Sequence, residues 1–333
     1  MRLVTYEFWG CVRSGVVVDD WVVDLERAYQ HVLEERGTPA ATRRAAGLLP
    51  TTLKGVLEGG ADSLVAASEV VSAARAARGT AGRSWEERGI ATPLARVRLW
   101  APIPDPDKII CMGRNYRAHA EEGGGVVPES PELFAKFANA LVGHNWPIEL
   151  PAISDEVDYE AELAVVIGRR AKDVSAAEAL EYVAGYTILH DVSARDYQLR
   201  TSQWLPGKGM DTFAPMGPWI VTTDEIPDPQ KLQIKLELGG QVLQNANTST
   251  MVFSVAESIS YISRVMTLEA GDVISTGTPE GVGFVRKPPI YLKAGDVVTI
   301  TIDGIGTLSN PVVGPGGGRQ RAAEPAGCAG AGG

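Results

Sequence analysis

Val157-Asp158-Tyr159-Glu160-Ala161-Glu162-Leu163-Ala164-Val165-Val166-Ile167-Gly168 places alternating acids directly ahead of an unbroken apolar run. The apolar part reads as a strand running into a core. In an extended chain successive side chains alternate, so Glu160 and Glu162 share one face while Tyr159 and Ala161 take the other. Two adjacent carboxylates repel unless a cation lies between them or one keeps its proton, and entry into a core raises that cost. A third acid, Asp191, follows the apolar strand Gly185-Tyr186-Thr187-Ile188-Leu189-His190. A helix over 176–183 between these strands would carry the chain back, so that the end of the second lies beside the first. Three carboxylates with no soft ligand suit a hard divalent ion, Mg²⁺ or Mn²⁺. The competing reading has Glu160 and Glu162 as solvated acids on an edge strand.

Outward from this run the chain is strand-rich. Lys108-Ile109-Ile110-Cys111-Met112 and the stretches 219–222, 232–238, 273–275 and 297–302 all read as strands, with only 176–183 and 254–266 as helices. Many short strands and few helices predict a mixed α/β, β-dominated, partly rolled sheet over 101–313. It opens after the stiff connector Pro102-Ile103-Pro104-Asp105-Pro106. Residues 1–100 read as a small α+β domain, with strands at 2–8 and 14–25 and helices from Glu26, after Thr38-Pro39, and over 53–58 and 63–78. Residues 314–333, mostly Gly, Ala, Pro and Arg, offer nothing periodic to bury and are expected to form a disordered tail.

The formal charge is −10, from 31 Lys+Arg against 41 Asp+Glu, with no basic run, so no nucleic-acid partner is expected. No apolar stretch is long enough to span a membrane. The start, Met1 to Glu7, reaches an acid at once and is not read as a secretory signal. Three cysteines without a C-x-x-C pair lead to the expectation of a reducing cytoplasm. Dinucleotide and nucleotide loops and the serine-hydrolase elbow are all missing.

Other polar groups surround the acids. Arg195 and Gln198 follow Asp191 closely, Lys208 stands between two glycines, and Thr278 lies in the tight loop Gly277-Thr278-Pro279-Glu280-Gly281-Val282-Gly283. Asp155, Asp158 and Asp196 read as turn or surface acids. In Gly113-Arg114-Asn115-Tyr116-Arg117-Ala118-His119-Ala120-Glu121-Glu122, helical spacing makes His119 and Glu122 i,i+3 neighbours. A carboxylate beside an imidazole fixes its tautomer, as a general base near neutral pH requires. A purely structural His–Glu pair is the alternative. Glycines 123–125 end this helix and would hinge it.

Taken in order, these motifs resemble the fumarylacetoacetate hydrolase family over roughly residues 105–313, and the first hundred residues look like the small N-terminal domain of many bacterial members. The resemblance implies a β-roll catalytic domain, a homodimer, and Mg²⁺ or Mn²⁺ held by Glu160, Glu162 and Asp191. It implies a small-molecule 2-oxo acid as substrate. Lys208 would neutralise an enolate, His119 held by Glu122 would activate water, Arg195 and Gln198 would contact the substrate, and Thr278 would hold its carboxylate. Hydrolysis of a C–C bond in acylpyruvate-type 2,4-dioxo acids stands first. Isomerisation or tautomerisation of unsaturated 2-hydroxy or 2-oxo diacids comes next, then oxaloacetate decarboxylation. A non-catalytic 2-oxo-acid binder would have no need of His119 beside Glu122 or of a buried Lys208.

Overall fold

The structure, a computed structural model, describes residues 1–77 and 80–317. Of the expected tail over 314–333, all but 314–317 lies outside the described residues. The chain opens with a meander, β1 (Arg2–Phe8), β2 (Cys11–Val18) and β3 (Trp21–Asp24), turned at Trp9-Gly10 and Asp19-Asp20. Five helices follow: α1 (Leu25–Glu35), α2 (Ala41–Leu48), α3 (Leu53–Glu58), α4 (Gly60–Ala76) and α5 (Thr80–Glu87). Asp24 caps α1 by accepting the Arg27 N–H, and Thr52 caps α3 through Gly55. Next come β4 (Ala91–Pro93), β5 (Arg98–Leu99), β6 (Ile109–Gly113), α6 (Arg117–Glu122) and β7 (Glu132–Lys136).

Short strands β8 (Leu141–Val142), β9 (Ile148–Glu149) and β10 (Val157–Asp158) lead into β11 (Ala161–Ile167) and β12 (Val183–His190). After β13 (Ser193–Ala194), α7 (Arg195–Gln198) and α8 (Leu205–Lys208) come β14 (Ala214–Thr222), β15 (Gln233–Leu238) and β16 (Gln241–Asn247). The chain then forms α9 (Val255–Val265), β17 (Val273–Ser275), β18 (Val297–Ile302) and β19 (Gly306–Val313).

A twelve-stranded sheet runs β4-β3-β2-β1-β14-β12-β11-β17-β6-β7, with β5 on β1 and β8 on β14. The pairing Arg2↔Val221 makes the N-terminal strands continuous with those of the β-rich half. A second sheet, β16-β15-β18-β19-β9, packs against one face. The unbroken apolar run at 163–167 follows from this layering. Leu163, Val165 and Ile167 face the second sheet, beside Ile234, Leu236 and Ile300. Ala164 and Val166 face the helical layer that carries Leu25, Val56 and Val70. A strand covered on both faces has no polar side to alternate. This is the mixed, β-dominated roll with an N-terminal α/β segment expected from the sequence.

The helix expected over 176–183 does not form. Only a 3₁₀ turn, Ala179–Tyr182, is present. β11 and β12 are antiparallel neighbours, with Ala161 opposite His190 and Leu163 opposite Ile188, and such a pair needs no helical crossover. The connector is instead tied down by the bridge Ala171↔Leu268 and by Val174 N–H donating to Ser263 Oγ at 3.0 Å. The 254–266 helix does form, as α9, closed by a capping box between Ser254 and Glu257. No helix among the described residues is long and apolar enough to cross a membrane.

β12 and β14 approach closely at Gly185, where an added Cβ would lie 2.3 Å from the Val221 carbonyl oxygen. Gly185→Ala is therefore expected to destabilise the fold by roughly 1–3 kcal/mol, the usual cost of overpacking. Urea unfolding should show a lower midpoint with an unchanged slope.

Candidate active site

Glu160 precedes β11, Glu162 lies inside it and Asp191 directly follows β12, so the antiparallel register delivers all three to one point. Asp191 N–H donates to the Glu160 carbonyl at 3.0 Å. The three carboxylates are buried, with one oxygen from each lying within 4.8 Å of the others. Three cationic side chains answer them. Lys208 Nζ donates to Glu160 Oε2 and Asp191 Oδ2, both at 2.7 Å. Arg195 Nη2 reaches Glu160 Oε1 at 2.6 Å. Lys136 Nζ stands 2.7 Å from Asp191 Oδ1.

The compensation is uneven. Burial would raise the Glu160 carboxyl, but Lys208 and then Arg195 outweigh it and hold the group well below its usual range. Glu162 has no such partner. Its Oε2 accepts from Ser275 Oγ and from Gly277 N–H at 2.9 Å, yet burial, then Asp191 and Glu160, push the carboxyl well above its usual value. An all-oxygen cluster whose central member lacks positive charge fits a hard divalent cation. Lys208 stays protonated: burial would lower it, but Asp191 and Glu160 raise it. His190 is pushed down to about 3 by burial and by Lys136, so its ring is neutral.

His119 sits on α6, the short helix expected there. Its Nδ1 is 2.8 Å from Glu122 Oε1, and Glu122 Oε2 accepts from Gly281 N–H at 2.8 Å. With Nδ1–H donating to Glu122, Nε2 is left bare to accept a proton. The preceding motif explains the helix's position. Buried Asn115 donates to the Phe253 and Thr276 carbonyls and accepts from Phe253 N–H. Gly277, at φ +92°, comes so close that an added Cβ would be 2.8 Å from Asn115 Cβ.

A cleft of about 420 Å³ gathers His119, Glu160, Glu162, Arg195, Gln198, Lys208 and Thr278. Trp204, Phe134 and Phe284 form its aromatic wall, and Arg195 stacks 4.5 Å from the Phe284 centroid. Glu122 stands behind His119. Arg195 Nη1 also donates to Gln198 Oε1 at 2.8 Å, and Thr278 Oγ1 donates to the Ala161 carbonyl at 3.0 Å while accepting from Gln244.

Two further charged residues support the cluster, Asp158 through Arg195 and Lys136 through Asp191. Asp158, read as a turn or surface acid, is fully buried. Its oxygens accept from Tyr159, Gly283 and Phe284 N–H groups and from Arg195 Nε at 2.9 Å, which orients the guanidinium. Its signal was present, since it is in phase with Glu160 and Glu162. Asp155 is exposed as expected, while half-buried Asp196 accepts from Ser154 Oγ. Lys136 is buried and donates to the Val192 and Phe213 carbonyls at 3.0 and 2.8 Å. Replacing it by methionine would leave Asp191 with Lys208 as its remaining cation and leave the Val192 and Phe213 carbonyls without this donor. We expect a loss of about 1–3 kcal/mol of stability, the usual cost of buried acceptors left unsatisfied, read by denaturant unfolding.

Residues 108–313 match the family described as Fumarylacetoacetate (FAA) hydrolase C-terminal. The chain is 51% identical over 221 residues to a mitochondrial oxaloacetate tautomerase of Xenopus laevis, which covers 66% of this chain and 69% of that protein. The crystal structure of a 5-carboxymethyl-2-hydroxymuconate delta-isomerase from Mycobacterium smegmatis superposes with a TM-score of 0.68 at 40% identity, over 95% of this chain and 100% of that one. A maleylpyruvate hydrolase from Sphingobium sp. SYK-6, solved with manganese(II) and pyruvate, has a TM-score of 0.68 at 32% identity, again over 95% and 100%. The expectation of a cytoplasmic protein is corrected by the same comparisons: similar proteins of Xenopus laevis, Bos taurus, Rattus norvegicus and Homo sapiens carry mitochondrial names. Cysteine usage does not separate one reducing compartment from another.

Proposed function

The chain belongs to the fumarylacetoacetate hydrolase family, and from that premise we propose that it is a tautomerase or isomerase interconverting enol and keto forms of small 2-oxo diacids. This is a metal-dependent enzyme for a 2-oxo or di-acid substrate. The observation carrying the tautomerase reading over hydrolysis is the 51% identity to an oxaloacetate tautomerase, with the likeness to an isomerase beside it. The Gly281–Glu122–His119 chain supplies the imidazole base in the cleft that holds the carboxylates and Lys208.

A divalent ion, Mg²⁺ or Mn²⁺, held by Glu160, Glu162 and Asp191 would polarise the 2-oxo oxygen. Lys208, positively charged, offsets negative charge developing on that oxygen. His119 Nε2 takes the proton from the carbon next to the oxo group and returns a proton to the oxygen, giving the enol; the reverse path gives the ketone. Glu122 keeps the imidazole in the accepting tautomer. Arg195 and Gln198 line the cleft where the substrate's polar groups would lie, and Thr278, on the same cleft, would hold its carboxylate. No water is consumed and no mass changes.

Hydrolysis of acylpyruvates is the second reading, favoured by the likeness to the maleylpyruvate hydrolase, and it would use the same His119 on water. A panel of enol oxaloacetate, unsaturated 2-hydroxy diacids and acylpyruvates, with Mg²⁺ and Mn²⁺ and products identified directly, separates the two. Isomers of unchanged mass support the proposal; cleavage to pyruvate and a free acid as the fastest reaction overturns it. Decarboxylation of oxaloacetate would appear as released carbon dioxide.

We also propose a homodimer, since a roll of this kind leaves sheet edges and faces to cover. Light scattering at micromolar concentration should give twice the chain mass of 35.4 kDa. A monomer throughout that range would refute it.

A further inference from the structure

Where β5 meets the β-rich half, a second cleft of about 410 Å³ opens, nearly the size of the candidate active site. Two indoles, Trp146 and Trp219, the imidazole of His144 and the guanidinium of Arg98 form its walls. Among the described residues, no aspartate or glutamate lines it.

Arg98 is half-buried and lies 3.6 Å from the centroid of the Trp146 ring. Its cross-strand neighbour is Glu7, but that carboxylate accepts from Trp100 Nε1 at 3.0 Å, and Arg98 has no ion pair among the described residues. His144 Nε2 and Trp146 Nε1 are the ring nitrogens left as donors here. Ser309 N–H donates to His144 Nδ1 at 3.2 Å, so the neutral ring carries its proton on Nε2. Burial lowers the His144 pKa, which keeps that ring neutral. Trp146 Nε1–H is buried and has no acceptor. A second guanidinium, Arg2, sits 5.2 Å from the Trp219 ring centroid.

The frame is built in advance. Asn145 N–H bonds to the Ser309 carbonyl at 2.8 Å, and buried Asn310 Nδ2 holds the Gly143 and Trp146 carbonyls at 2.9 and 2.8 Å. Trp219 Nε1 donates to the Ile305 carbonyl at 2.7 Å. At Gly143 an added Cβ would be 2.2 Å from the Leu99 carbonyl oxygen, so this loop is pressed onto the strand that carries Arg98.

We propose that this cleft binds a small planar carboxylate, an aromatic or conjugated acid, with its charge on Arg98 and its ring against the indoles. With Arg98 on its wall and no carboxylate to offset it, the cleft disfavours a cation. An inorganic anion could use Arg98 but would leave the aromatic faces uncovered, whereas a planar acid uses both.

The test uses the full chain stripped of divalent ions by a chelator, so that a metal in the candidate active site cannot hold the probe. Benzoate is titrated in, with benzamide as the neutral control, and followed by tryptophan fluorescence and calorimetry. Benzoate should saturate one site per chain and bind at least about tenfold more tightly than benzamide, a difference of about 1.4 kcal/mol. Arg98→Gln should lose at least about that factor while catalysing at the parent rate. Trp146→Phe, which keeps a ring but removes Nε1–H, should weaken benzoate without unfolding the chain. His119→Ala should bind it as the parent does. Equal affinity for benzamide, unchanged binding in Arg98→Gln, or benzoate found only in the candidate active site of a soaked crystal would each overturn the proposal. So would a seam covered by a second copy, seen as no binding in a dimer.

Discussion

His119→Ala turns over substrate roughly 10²–10⁴-fold more slowly than the parent, the usual worth of a positioned base, while Mn²⁺ affinity stays nearly constant. The split follows from the geometry. The imidazole bonds to Glu122 and makes no hydrogen bond to the carboxylate cluster, which is held by Lys208, Arg195 and Lys136. Glu122→Gln should cost less, because the ring survives and only its orientation suffers. Solvent-deuterium exchange at the carbon next to the oxo group gives a second readout. It should fall in parallel with turnover in His119→Ala, and exchange at the parent rate would show that another group carries the proton.

The second large effect concerns Glu162. Glu162→Gln should reduce metal affinity by more than the roughly 10–100-fold that follows loss of an outer-shell partner, and abolish metal-dependent activity with it. The same change should stabilise the metal-free protein or leave it unaltered, because the carboxyl it removes is disfavoured by burial and by two neighbouring acids. The sign follows from linkage. A carboxyl whose folded pKa is raised binds its proton more tightly in the folded state, so the metal-free protein loses stability as pH rises from the unfolded value toward the raised one. Metal affinity moves oppositely, increasing with pH through that window, because the ion needs the ionised form. Calorimetric titration with Mn²⁺ at several pH values should show proton release in the parent and a flat profile in Glu162→Gln. A steep profile in the variant would place the titrating group elsewhere.

What could be read along the chain was short-range. The two-residue period put Glu160 and Glu162 on one face, the i,i+3 spacing paired His119 with Glu122, and the strand ending at His190 pointed to Asp191, because backbone geometry alone fixes neighbours a few residues apart. The same period also holds Asp158, whose burial does not show in spacing. The stretch 176–183 looks helical by composition, yet antiparallel pairing of the strands around it removes the need for a crossover helix. Lys136 reaching Asp191, Gly281 bonding Glu122, Gly283 and Phe284 closing on Asp158, and Arg98 meeting Trp146 all join residues far apart in the chain. Only the packing of two sheets and a helical layer decides such contacts, since the partner of a buried charge is chosen by whichever segment the fold brings beside it.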